Sequence, residues 1–135
     1  MRYLGLDLGS KTLGVAISTS GILASEYTVI RHDEEYDRLV TEVKNIVEKE
    51  KIDIIVLGLP KNMDNSLGEK ANLSIEFKKK LEETTNKEVV LEDERLTTKV
   101  AQDALIFQDV SRKKRKGIID KAAAKVILES YLNRK

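Results

Sequence analysis

In three places this 135-residue chain puts a carboxylate where an acid is unexpected. Asp7 sits inside the apolar, strand-like opening Met-Arg-Tyr-Leu-Gly-Leu-Asp-Leu, just before a Gly9-Ser10-Lys11-Thr12 turn. A run of acids, Glu92-Asp93-Glu94, closes a later apolar strand and is followed by Arg95. Asp120 stands near the start of the last helical stretch, Gly-Ile-Ile-Asp-Lys-Ala-Ala-Ala-Lys. Ionised carboxylates are rarely buried unless paired or bound to metal. Brought together, acids from these three places would form an oxygen-rich site suited to a hard divalent ion such as Mg2+ or Mn2+. Two such ions about 4 Å apart can activate a water and stabilise the leaving oxygen of a phosphodiester.

Each acid also has an ordinary structural reading. Asp7 could face solvent from an edge strand, but Leu4, Leu6 and Leu8 mark the opposite face as apolar. Tyr3, Gly5 and Asp7 then share a face, on which Gly5 is expected to leave room for a ligand. The acids at 92–94 could serve the positive end of a helix capped by Thr97 or Thr98, with Arg95 neutralising one acid or gripping a phosphate. Asp120, expected in the first turn of its helix, could be an N-cap, although Ala123 occupies the capping-box position. It also heads a stripe of Ala124, Ile127 and Tyr131 at helical spacing.

Four residues before Asp120 ends a run of cations, Arg112-Lys113-Lys114-Arg115-Lys116, expected in a loop over Asp109–Gly117. Adjacent cations suit a phosphate backbone, although such a run is commonly a solvated face. No aromatic side chain interleaves it, so base stacking and sequence reading are not indicated. Charge is unevenly placed although the net is only +1. From Glu26 through Glu94 there are 18 acids against 11 Lys/Arg (−7), and from Ser111 through Lys135 there are 9 Lys/Arg against 2 acids (+7).

Several chemistries are excluded. There is no cysteine, hence no disulfide, thiolate zinc site or cysteine nucleophile. One histidine, His32, rules out a His-rich metal site and a two-histidine acid/base pair. The Gly9–Thr12 turn is not a phosphate-binding Walker loop, because Ser10 separates Gly9 from Lys11. ATPases of the actin or sugar-kinase type need two domains to close over a nucleotide, and the length suits one. No apolar run approaches the roughly 20 residues of a membrane span, so a soluble cytoplasmic protein without membrane partners is expected.

These residues need elements to position them. Strands are expected at Arg2–Leu8, Leu13–Thr19 and Ala24–Arg31, forming an antiparallel meander. A helix over 34–49 carries Leu39, Val43, Ile46 and Val47 at helical spacing. The apolar run Asp53–Gly58 reads as a strand buried on both faces. The loop Gly58–Gly68, a helix over 69–84, a strand at Glu88–Leu91, a helix at Thr97–Phe107 and a helix at Ile118–Leu132 complete the chain. The order βββαβαβαα predicts one α/β domain over residues 1–135, with a mixed five-stranded sheet of meander plus parallel strands and helices on both faces.

With these motifs in hand, the sequence closely resembles the YqgF-type family of pre-16S rRNA nucleases. That family has the RNase H-like fold and is related to Holliday-junction resolvases. The matching stretches are LGLDLGSKTLGVAIS, VLGLPKNMDNSLG, EDERLTT and RKKRKGIIDKAAAKVILESYL, spanning Leu4 to Leu132. The resemblance implies that Asp7, Glu94 and Asp120 are catalytic, metal-binding carboxylates holding Mg2+ or Mn2+. It further implies that Lys11, Asp64, Ser66, Arg95 and Thr97 lie around the substrate cleft; the cation run, read from its charge, adds Arg112, Lys113, Lys114 and Arg115 as contacts to the substrate's phosphates. Two positions depart from the family. Asn65 stands where glycine is usual, and Asn tolerates the same left-handed backbone. Thr19 stands where an acid often follows Ser18. The expected partner is nucleic acid: pre-rRNA, with ribosomal particles as an associated partner, acted on by a monomer or weak dimer. The alternatives are a junction-resolving DNA endonuclease, which needs a dimer, and a non-catalytic RNA- or ribosome-binding module.

Overall fold

The computed structural model describes residues 1–9, 11–59, 68–93 and 112–134, with the side chains of residues 69, 70 and 112–121 outside that description. Three strands come first: β1 Tyr3–Leu8, β2 Thr12–Ser18 and β3 Ser25–Arg31. Helix α1 Tyr36–Glu50, strand β4 Ile54–Leu59, helix α2 Glu69–Thr85, strand β5 Glu88–Asp93 and helix α3 Arg112–Arg134 follow. The sheet order is β3-β2-β1-β4-β5, which puts β1 in the middle. β1 pairs antiparallel with β2, and β2 with β3, because short turns join them. β1–β4 and β4–β5 are parallel, as expected of strands reached through a crossover helix.

The two faces of the sheet are covered by different helices. Leu4 and Leu6 of β1 join Leu13, Val15, Ile55 and Leu57 in a core with Leu39, Val43 and Val47 of α1 and with Phe77 and Leu81 of α2. The alternate residues, Tyr3, Ala16 and Val56, pack with Ala124, Ile127 and Leu128 of α3. Strand alternation therefore assigns Tyr3, Gly5 and Asp7 to the α3 face. α3 lies tight against it: a Cβ on Gly5 would come 2.8 Å from Leu128 Cβ and 2.9 Å from the Ala124 carbonyl oxygen. The space at Gly5, expected to admit a ligand, is filled by α3.

Several boundaries differ from expectation. α1 starts at Tyr36 because Glu34 adopts a left-handed φ of 64°. In α2, Ala71, Ser74, Phe77 and Leu81 are buried, while Ile75 is only half-buried. The largest correction concerns α3, which begins at Arg112 rather than Ile118. The basic run is helical, not a loop, since Arg and Lys are good helix formers. Asp120 is therefore inside the helix, past its first turn, which removes the N-cap reading. The helix expected at Thr97–Phe107 lies outside the described residues. No helix among the described residues is long and apolar enough to cross a membrane.

Candidate nuclease centre

Asp7 stands at the carboxyl end of the central strand, half-buried and on the face that α3 crosses. Its neighbours across the sheet are glycines. Asp7 pairs with Gly14 of β2. The ladder to β4 runs up to Leu6↔Leu57, so Asp7 and Gly58 are the next residues on their strands. Gly58 in turn pairs with Glu92 of β5. The row Gly14, Asp7, Gly58, Glu92 thus presents two carboxylates with side-chain-free positions flanking Asp7. Ligands of open α/β sheets gather at this edge, outside the carboxyl ends of the strands. The glycines that give room are Gly14 and Gly58, which sequence reasoning did not single out. Only the pairing register shows them.

The link from β1 to β2 is held from within. The Gly9 N–H donates to the Thr12 carbonyl at 2.8 Å, and a Cβ on Gly9 would lie 3.1 Å from that oxygen. The backbone N–H of His32 donates to the Lys11 carbonyl at 2.8 Å, and its ring Nε2 lies 2.9 Å from the Gly9 carbonyl oxygen. Lys11 itself is exposed at this end of the sheet, near Asp7 in sequence. Thr19 is exposed beyond the end of β2 that pairs Ser18 with Tyr3. It is therefore at the opposite edge from Asp7, and an acid there would not reach this end.

Of the acidic run, Glu92 and Asp93 are among the described residues. Glu92 is 7% exposed, and Arg134 of α3 grips both of its oxygens from Nε at 3.0 and 2.9 Å. This hydrogen bond and the carboxylate charge hold the Arg134 guanidinium above its ordinary pKa. Arg134 also lies 5.3 Å over the Tyr131 ring, which is tilted against Tyr3 at 5.8 Å. Among the described residues, the cation that sits by these acids is Arg134, 42 residues away from Glu92. Glu92 is thereby committed to a structural pair. Glu94, Arg95 and Thr97, like Asp64 and Ser66 of the earlier loop, lie outside the described residues.

α3 approaches Asp7 in a defined direction. Tyr131 packs on Tyr3, and Ala124 and Leu128 pack over Gly5. Each step back along the helix advances along β1 toward its carboxyl end. Asp120 is one turn before Ala124, as Asp7 is one face-sharing residue beyond Gly5. Arg112, Lys113, Lys114 and Arg115 occupy the first turn of the same helix. Among the described residues no group of three acids or histidines is placed to hold a metal ion, with Glu94 and the Asp120 side chain outside that set.

Residues 1–134 match the sequence pattern of the family described as "RuvX: Holliday junction resolvase". A protein of Clostridium kluyveri, named "Putative pre-16S rRNA nuclease", is 47% identical over 135 residues, covering 99% of this chain and 98% of its own. A protein of the same name from Geobacillus kaustophilus is 50% identical over 137 residues, covering 100% and 99%. Among solved structures, RuvC of Thermus thermophilus in complex with a Holliday junction substrate superposes with a TM-score of 0.63 at 13% identity, over 99% of this chain and 95% of that one. At that identity the likeness is one of fold.

Proposed function

The chain belongs to the RuvX family of Holliday junction resolvases, and from that premise we propose that it hydrolyses phosphodiester bonds at the 5′ end of pre-16S rRNA, using Asp7, Glu94 and Asp120. That it is a nuclease follows from its family and its full-length relatives. The observation that carries the site assignment is the placement of Asp7: an acid at the carboxyl end of the central strand, flanked by Gly14 and Gly58, on the face crossed by the helix bearing Asp120.

The donors fit a hard divalent ion. No cysteine is present, and the one histidine is buried and engaged with Gly9, so the donors left for this end of the sheet are carboxylate oxygens. Asp7, Glu94 and Asp120 would hold Mg2+ or Mn2+. The bound ion supplies an activated water and charge stabilisation for the leaving oxygen. The glycines beside Asp7 leave a path for the scissile phosphate. Lys11, Arg95 and Thr97, with Asp64 and Ser66, border that path, and the cations of the first turn of α3 hold the flanking backbone. Such phosphate contacts position a strand without reading its bases.

The substrate is drawn from the names of relatives nearly half identical over their whole lengths. A second reading, cleavage of junction DNA, is favoured by the family description and needs a two-fold dimer to present paired sites. The deciding experiment incubates purified protein and its Asp7→Asn variant with Mn2+ or Mg2+ and labelled precursor RNA, single strands or a four-way junction. Cleavage of the precursor by the native protein, abolished in Asp7→Asn, is the expected result. Undiminished cleavage by a folded Asp7→Asn protein would refute the site. Cleavage of the junction alone would replace the RNA reading with the second. Glu94→Gln and Asp120→Asn should behave as Asp7→Asn does.

A further inference from the structure

We propose that His32 is a positioning residue for the reactive end of β1: its Nε2–H donates to the Gly9 carbonyl oxygen and holds the link that follows Asp7. The proposal rests on the reading of Asp7 given above.

His32 is the only histidine of the chain and is 0% exposed. Burying an imidazole is costly unless its nitrogens find partners, and both do. The Glu34 backbone N–H donates to Nδ1 at 3.2 Å, so Nδ1 must be the bare acceptor. The proton then sits on Nε2, 2.9 Å from the Gly9 carbonyl oxygen. The partners of one nitrogen dictate the tautomer, and the tautomer dictates what the other can hold.

The ring is braced from behind. Its centroid is 5.6 Å from that of Tyr36, at the start of α1, and Tyr36 meets Phe77 of α2 edge-on at 6.3 Å. Glu34 takes a left-handed φ of 64°, a strained conformation for a non-glycine residue, and its N–H is the one that fixes Nδ1. Through its backbone N–H as well, His32 reaches the Lys11 carbonyl at 2.8 Å. One residue therefore pins both Gly9 and Lys11. Gly9 follows Asp7 by two positions, so movement of its carbonyl is passed to the strand end. Losing a supporting group behind a ligand typically lowers metal affinity or activity by about 10- to 100-fold.

Three substitutions separate positioning from simple core filling. His32→Gln keeps a donor where Nε2 stands, His32→Asn keeps only a group near Nδ1, and His32→Leu keeps neither. Each is assayed for kcat and KM on labelled precursor RNA and for Mn2+ affinity by water-proton relaxation, with Asp7→Asn in parallel. Expected are near-native values for His32→Gln. For His32→Asn and His32→Leu, kcat should fall about 10- to 100-fold with weakened Mn2+ binding and little change in KM. Native kcat and Mn2+ affinity in folded His32→Asn or His32→Leu protein would overturn the proposal. So would a His32→Gln protein as impaired as His32→Leu. Should His32→Leu not fold, the Gln and Asn pair decides. Undiminished activity of Asp7→Asn would instead remove the reading beneath, and this inference with it. The unaltered protein offers an independent check, since its one histidine gives a single pair of ring 15N resonances. The Nε2–H tautomer is expected there, and the Nδ1–H tautomer would overturn the assignment.

Discussion

Gly5 of β1 and Ala124 of α3 approach so closely that a Cβ on Gly5 would stand 2.9 Å from the Ala124 carbonyl oxygen. The neighbour is backbone, and Leu128 Cβ of the same helix is 2.8 Å away, so neither can swing aside as a flexible side chain would. Removing glycine from a strand interior ordinarily gains about 0.5–1 kcal/mol, while overpacking costs about 1–3 kcal/mol. The second effect wins here. Gly5→Ala should be destabilised by about 1–2 kcal/mol in urea unfolding. Its cleavage rate should fall further than its stability suggests, because the displaced helix carries Asp120. A Gly5→Ala protein of native stability would show that α3 sits less closely than described.

Arg134 and Glu92 should behave as a coupled pair. Breaking a buried ion pair from one side costs about 3–5 kcal/mol, but the Arg134 side chain is 58% exposed against 8% for Glu92. Water screens the arginine, so the expected loss for Arg134→Met is nearer 1–2 kcal/mol. The double variant Arg134→Met/Glu92→Gln should recover much of it, since no carboxylate is then left buried and unpaired. A double-mutant cycle in urea measures the coupling, and strict additivity would argue against the pair.

Alkaline pH should weaken the fold. Burial, followed by a hydrogen bond to Glu50, raises the Tyr27 pKa, and burial, followed by the Glu34 charge, raises that of Tyr36. The hydrogen bond to Asp37 raises that of Lys80. In each case the folded state holds the proton more tightly than the unfolded chain. The associated stability is whole below the ordinary value of about 10 for tyrosine and lysine, and is lost as pH climbs through the raised values. Melting temperatures should therefore decline above about pH 10. The decline should be shallower in Tyr27→Phe, which cannot ionise at that position.

The basic first turn of α3 should act on binding rather than on chemistry. Arg112, Lys113, Lys114 and Arg115 are four successive positions of one helix, and such positions turn by about 100° each. Each lost phosphate contact lowers the salt slope by about 0.7 for single strands and about 0.9 for duplex. Changing all four to Gln should weaken RNA binding and flatten its slope by about 1–2 units, fewer than four full contacts would give. Sequence preference should stay the same. Wild-type affinity and slope would make the run a solvated face.

What the sequence by itself determined is what short periods encode. The alternation of Leu4, Leu6 and Leu8 against Tyr3, Gly5 and Asp7 set the two faces of β1. The apolar run after Asp53 marked a doubly buried strand, and the helical spacing of Leu39, Val43 and Val47 marked α1. These patterns are legible because side-chain direction repeats every 2 or about 3.6 residues along one element. The start of α3 was missed because a cation run resembles a solvated loop, although Arg and Lys are helix formers. Only the tertiary structure decided which glycine makes room and which is filled. Gly5 is closed by Ala124 and Leu128 of α3, whereas Gly14 and Gly58 flank Asp7 through strand register. It alone paired Glu92 with Arg134 and aimed the ring of His32 at Gly9, across sequence separations of 42 and 23 residues. Nothing local encodes those partners. They are chosen by the layering of α3 and β3 against β1 and its turn, where a buried polar atom must find whatever complement the packing brings within reach.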